Sequence, residues 1–137
     1  MARLQFSSAV RQARIIQFEA TIGPSPTLEI RAGTIPTHCT NPDDGQLLCS
    51  IVLPSNWMAS SGGGAAIKTG TWIGTGLPAA GSGVDATYFR IKTGATCHCQ
   101  GDISEAGGGG AMILDDISVS AGETVNVNTF SLADGNA

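Results

Sequence analysis

Apolar residues recur at steps of three and four over the first 22 positions, and at steps of two from position 27 onward. The chain therefore reads as one helix followed by strands. Ser7 or Ser8 supplies a side-chain oxygen to cap the helix, which is predicted over residues 7–22. Phe6, Ala9, Ala13, Ile16 and Ala20 form one apolar stripe, and Ile15, Phe18 and Ile22 form a second beside it. Together they cover a broad arc, suited to packing against a sheet or another subunit. Gly23-Pro24 ends the helix, because proline cannot continue it and glycine allows the turn.

The next stretch, Thr27–Ala32, alternates Leu28 and Ile30 with Glu29 and Arg31, as a half-buried strand does. Residues Gly33–Gly45 carry two prolines, Asn41 and Asp43-Asp44, and read as a long loop. Gln46–Leu53 is almost continuously apolar and is expected to be a strand buried on both faces, with Ser60–Gly64 a flexible connector after it. Ala66–Ile73 reads as a further strand and Thr75–Asp85 as a loop. Ala86–Thr93 alternates again, placing Phe89 and Ile91 inward and Arg90 and Lys92 outward, and Thr93-Gly94-Ala95 turns a hairpin into Thr96–Ile103. Met112–Leu114 and Ile117–Val119 are two short strands or one bulged one. In Thr124–Leu132, Val125 and Val127 share a face while Phe130 and Leu132 fall on the opposite parity, which predicts a bulge near Asn128. Seven or eight short strands after one helix indicate a mainly β chain, an antiparallel β-sandwich or barrel, the jelly roll being one such topology, with one N-terminal α-helix. The expected organisation is a single domain over 1–137, with 1–23 an arm and helix and 24–137 the sandwich.

Composition narrows the function. At 137 residues the chain can bury roughly 65–70% of its unfolded surface, so it needs neither metal nor disulfides to fold. Only 13% of residues are charged against 42% hydrophobic, which argues against disorder and suits either a surface covered by partners or one that dissolves by virtue of Ser, Thr, Asn and Gly. Residues 1–20 hold Arg3, Arg11 and Arg14 against Glu19, whereas the remainder carries an acidic excess within a net charge of −4. An acidic body lacks the Lys/Arg stripe that phosphate neutralisation requires, so no nucleic-acid partner is expected. No apolar run reaches 18 residues, and Arg11 and Arg14 interrupt any secretory h-region; neither membrane insertion nor export is expected. Cys39, Cys49, Cys97 and Cys99 then read as reduced thiols, and a bridge such as Cys39–Cys49 requires an oxidising medium.

The candidate chemistry is sparse. Cys97-His98-Cys99 with His38-Cys39 offers zinc-type donors, but C-x-C on a strand turns both sulfurs to one side and His98 to the other. No metal or other cofactor is expected. With two histidines and no G-x-S-x-G elbow, no nucleophilic triad is evident. Asp43-Asp44 and Asp115-Asp116 read as turn formers, and neither glycine run is followed by the Lys-Ser/Thr of a phosphate cradle. No catalytic residues are assigned. Trp72 reads as core, and Trp57 either as an anchor for a partner or as a cap on one end of the sandwich.

Leu28-Glu29-Ile30-Arg31-Ala32-Gly33, Leu53-Pro54-Ser55-Asn56-Trp57-Met58, Tyr88-Phe89-Arg90-Ile91-Lys92, Thr96-Cys97-His98 and Val125-Asn126-Val127-Asn128-Thr129-Phe130 resemble stretches of small virion proteins of tailed bacteriophages. Phe6-Ser7-Ser8-Ala9-Val10-Arg11 and the ending Gly135-Asn136-Ala137 extend the resemblance over nearly the whole chain; Cys49 and Cys99 depart from it. Within that group the chain is most similar to the capsid cement, or decoration, proteins of podophage heads. The resemblance implies a jelly-roll-like sandwich on the capsid exterior, made and assembled in the host cytoplasm. It implies the major capsid protein as partner and a homo-oligomer, dimer or trimer, in which the protein clamps neighbouring shell subunits. A tail or fibre component binding a receptor or glycan is the alternative. From the residues themselves, the expected interface is the N-terminal segment, with Arg3, Arg11 and Arg14 rimming an apolar centre of Phe6, Val10 and Phe18, and Trp57 as a further anchor.

Overall fold

The computed structural model describes residues 3–134, so the ending Gly135-Asn136-Ala137 lies outside the described residues. Helix α1 (Ser8–Ile22) starts where Ser7 Oγ accepts the Val10 N–H at 3.2 Å and stops at Gly23, whose φ of 92° only glycine adopts at little cost. Eleven strands follow among the described residues. They are β1 (Thr27–Arg31), β2 (Leu47–Val52), β3 (Met58–Gly62), β4 (Ala65–Lys68), β5 (Ile73–Thr75), β6 (Val84–Asp85), β7 (Tyr88–Thr93), β8 (Thr96–Ser104), β9 (Met112–Leu114), β10 (Ser118–Val119) and β11 (Thr124–Ala133). A 3₁₀ turn, Pro78–Ala80, lies between β5 and β6.

Nine strands form one sheet in the order β2-β1-β7-β8-β9-β11-β4-β3, with β5 also paired to β11; β6 and β10 form a separate pair. Pairing is antiparallel throughout except between β8 and β9. The sheet curls so that β5, the branch on β11, comes against the β2 edge. Just after β5 the Leu77 N–H donates to Leu48 O of β2 at 2.8 Å, and a Cβ added to Gly74 would lie 2.6 Å from Ile51 Cγ1 and 2.7 Å from Cys49 Sγ. Glycine at 74 lets β5 approach β2 this closely. The result is a mainly β, antiparallel sandwich with one N-terminal helix, its two walls supplied by one curled sheet.

The core fills the space between the walls. A line of aromatic rings runs through it: Phe18 to Trp57 (5.8 Å), Trp57 to Trp72 (6.2 Å), Trp72 to Phe130 (5.7 Å) and Phe130 to Phe89 (5.4 Å). Both tryptophans are fully buried, and each indole N–H reaches a carbonyl, Gly23 O from Trp57 and Thr69 O from Trp72. The expected bulge in the last strand is present: the β11–β9 register shifts between Val127 and Thr129, and Val125, Val127 and Phe130 are all buried.

Several local expectations are corrected. Strand β2 is not buried on both faces, since Ser50 and Val52 are exposed, Val52 to 72%; only its inner face is covered. Ser60–Gly64 is not a free connector but the end of β3 and its turn into β4, with Gly62, Gly63 and Gly64 all at positive φ. The stretch 66–73 divides between β4 and β5, and the loop 75–85 contains β6. Of the two readings for 112–119, two short strands is the one found: β9 lies in the large sheet, and β10 pairs with β6. The largest correction concerns β7. Arg90 and Lys92 do point away from the core, yet they are 2% and 7% exposed, because the loop after β1 folds back over that face.

Candidate functional site

Helix α1 presents two apolar stripes to two different surroundings. Ile15, Phe18 and Ile22 face the protein: Ile22 is buried, and Ile15 and Phe18 pack against the core. Polar residues on the same side fix the docking. Gln12 donates to Ser60 Oγ (2.6 Å) and accepts from the Gly64 N–H (2.9 Å), and the Glu19 carboxylate accepts from the Met58 N–H. These contacts also occupy polar groups of the β3–β4 hairpin at the end of the sheet. The other stripe faces outward. Ala9, Ala13 and Ala20 are exposed, as are Phe6 at 38% and Ile16 at 51%, with Val10 beside them at 45%.

The residues expected to form the interface therefore separate into two groups. Arg3, Phe6, Val10 and Arg14 lie on the exposed side, with the Arg14 guanidinium 5.0 Å from the Phe6 ring centroid and Arg14 Nε 3.1 Å from Asp134 Oδ2. Arg11, by contrast, reaches inward to Asp134 O at 3.4 Å and to Ser8 Oγ. Phe18 stacks on Trp57, and Trp57 has no exposed surface, so Trp57 is the end cap and not an accessible anchor. Helical periodicity alone could not tell which stripe would turn inward, because both have the same spacing.

A second feature, the buried charge cluster, was not evident from the strand alternation. The loop 33–45 is closed at its base by paired hydrogen bonds, Ala32 N–H to Gln46 O (3.0 Å) and Gln46 N–H to Ala32 O (3.1 Å). Its tip lies over the outer face of β1, β7 and β8. Tyr88 Oη donates to Asp44 O (2.5 Å), and Gln100 Nε2 donates to Pro36 O (2.6 Å). Arg90 donates to His38 O, Asn41 O, Asp43 Oδ1 and Gln100 Oε1, so each end of its guanidinium is engaged. Lys92 Nζ lies 2.7 Å from Asp43 Oδ2 and 3.0 Å from Glu29 Oε1, and Arg31 bridges the same two carboxylates. Burial raises the Asp43 pKa, but the hydrogen bonds from Lys92 and Arg90 and the charge of Arg31 outweigh it and hold the carboxyl below its ordinary 3.8. Lys92 is held above 10.5 for the reciprocal reason, its burial being outweighed by Asp43 and Glu29. The sequence signal was Glu29-x-Arg31 and Arg90-x-Lys92 on adjacent strands in a chain otherwise poor in charge.

Beside this cluster lies a cavity of about 360 Å³, lined in part by Cys39, Asn41, Asp43, Arg90, Lys92 and Cys97. The thiol arrangement differs from the C-x-C expectation. The β7–β8 register shifts between Ile91 and Lys92, so that Cys99 pairs with Ile91 and packs toward the core, while Cys97 pairs with Lys92 and faces the cavity. A bulge at His98 breaks the alternation that would have put both sulfurs on one side. Burial, and then the Cys39 side chain, push the Cys97 thiol up to about 12; burial pushes Cys99 and Cys49 up to about 11. These three groups are thiols at neutral pH and poor nucleophiles in that state. Among the described residues no group of three or more His, Cys, Asp or Glu side chains is placed to hold a metal ion, and no helix is long and apolar enough to cross a membrane.

The geometry thus offers an exposed apolar helix face and a charge cluster in which three cations share two carboxylates. Comparison of the chain with protein-family models, with curated proteins and with solved structures returned no match.

Proposed function

We propose that the protein is a non-enzymatic structural component of a phage virion, a capsid cement protein that binds the assembled shell of the major capsid protein and stabilises it. The observation that carries this reading is the outward stripe of α1. Ala9, Ala13, Ile16 and Ala20 form an exposed apolar row on a helix already docked through its other face, with Phe6 just ahead of the helix beneath the Arg14 guanidinium. Water-exposed apolar rows of this kind are characteristic of surfaces that another protein covers. The small alanines allow a partner's backbone close, while Arg3 and Arg14 stand at the margin, where charge steers association more than it adds affinity. The resemblance of several stretches to small virion proteins supports the same reading, as does the low overall charge.

The mechanism is mass action. A protein that binds only the assembled shell shifts the equilibrium toward it, and many weak contacts summed over the lattice produce a large effect. Quantitative mass spectrometry of purified particles tests the assignment. Copy numbers on the order of hundreds match an icosahedral shell; roughly six to eighteen copies would move the protein to the tail or its fibres. Its absence from particles would end the virion reading altogether.

A further inference from the structure

Cys39 sits in the loop 33–45, and Cys97 sits on β8, 58 positions further along the chain. The fold brings them together. Both line the same cavity, where the Cys39 thiol is near enough to Cys97 to raise its pKa. The juxtaposition is held from several sides. Arg90 binds the carbonyls of His38 and Asn41, one on each side of Cys39, at 3.2 and 2.9 Å. Cys97 is fixed by its register with Lys92, whose amine holds Asp43 of the same loop. Cys49 is buried in the core near Gly74, and Cys99, though also within the electrostatic reach of Cys39, packs toward the core in register with Ile91 and does not line the cavity.

We propose that Cys39 and Cys97 are a disulfide-forming pair, a clasp that fastens the loop 33–45 to the β7–β8 hairpin when the protein meets an oxidising medium. The oxidant is a small-molecule disulfide, for which oxidised glutathione serves as the probe. One protein thiolate attacks a glutathione sulfur, the S–S bond of the oxidant breaks, and one reduced glutathione leaves. The second protein thiol, deprotonated as it reacts, attacks the protein sulfur of the mixed disulfide and expels the second glutathione. One oxidant disulfide is thereby reduced to two thiols while two protein thiols become one disulfide, and protons and electrons balance. The exchange joins side chains that line one cavity, so the loop keeps its fold. What changes is the freedom of the loop to lift from Arg90 and Lys92. The clasp stands independently of the virion reading.

The test is equilibration of the folded, reduced protein with oxidised glutathione, followed by alkylation of remaining thiols and non-reducing peptide mapping. The expected product is a Cys39–Cys97 cross-linked peptide, with Cys49 and Cys99 both alkylated. The thermal midpoint of the oxidised protein should exceed that of the reduced one by about 10 °C, because the bridge closes a long loop in the unfolded chain. Cys99→Ser should leave the cross-link intact and Cys97→Ser should abolish it. Four alkylated cysteines, a stable glutathione adduct that never closes, or a Cys97–Cys99 or Cys39–Cys99 bridge would each overturn the proposal. The mapping of the unsubstituted chain decides the matter even if Cys97→Ser fails to fold.

Discussion

Asp43 shows how one side chain in a loop can decide the state of a whole sheet face. It contacts Arg31, Arg90 and Lys92, of which Arg90 has almost no exposed surface. Removing it leaves buried cations with one carboxylate, Glu29, among them. Asp43→Ala is therefore expected to destabilise the fold by about 3 kcal/mol, because an unpaired buried charge costs more than the pair contributes. Urea midpoints would measure it, and a loss under about 1 kcal/mol would show that the loop lifts and hydrates the cations. The pH dependence follows from the direction of each shift. Asp43 is held below 3.8, so its contribution is complete above that value and disappears as pH falls through the lower folded value. Cys49 is pushed up from 9.0 to about 11, so its contribution is complete below 9.0 and is lost as pH rises toward 11. Stability should be flat between those limits. Asp43→Asn should flatten the acid limb, and Cys49→Ala should make the alkaline one shallower without removing it, because Cys97, Cys99 and Lys92 are raised as well; both are read from midpoints measured across pH.

At the scale of elements, α1 and the β5–β2 seam carry the separable predictions. Ile16 and Phe18 lie two residues apart on opposite stripes. Ile16→Glu should change stability by no more than about 0.5 kcal/mol, as exposed substitutions do, while abolishing association through the helix. Phe18→Ala should cost about 2–3 kcal/mol, somewhat under the range for a fully buried phenylalanine, because its ring is only half covered yet stacks on Trp57. Thermal midpoints and sizing with purified shells would distinguish them; equal stability losses would mean that the helix does not sit as described. Deleting residues 1–22 removes Phe18 and Ile22 from the core and should unfold the chain, read by loss of cooperative melting. At the seam, Gly74→Ala places a methyl group into Ile51 and Cys49 and should cost about 1–3 kcal/mol.

For the molecule as a whole, the cement reading predicts how particles fail. Particles lacking the protein should keep normal capsid geometry yet release DNA at a lower temperature or under milder osmotic shock. Adding back purified protein should restore the threshold, and protein carrying Ile16→Glu should not. Normal thermal stability together with failed host attachment would instead place the protein in the tail. On the cement reading, the curled sheet with its aromatic line is the scaffold and the outward face of α1 is the surface that the shell covers.

Local pattern was sufficient for much of this. Alternation in 27–32 and 86–93, the stop at Gly23-Pro24, the Gly94 hairpin and the bulge near Asn128 were all legible, because each depends on neighbours along the chain and on the 3.6- and 2-residue periods of the backbone. The candidate site was half legible. Both apolar stripes of α1 could be read, but not which one faces water, since identical spacing carries no information about where the sheet will lie. The buried state of Arg90 and Lys92 could not be read at all. Alternation places a residue on a face, whereas burial depends on what covers that face, here a loop held over it by Asp43, Tyr88 and Gln100. The meeting of Cys39 with Cys97 has the same origin: it is a contact between distant segments, made when the loop closes and a bulge at His98 turns one thiol of C-x-C outward and leaves the other in the core.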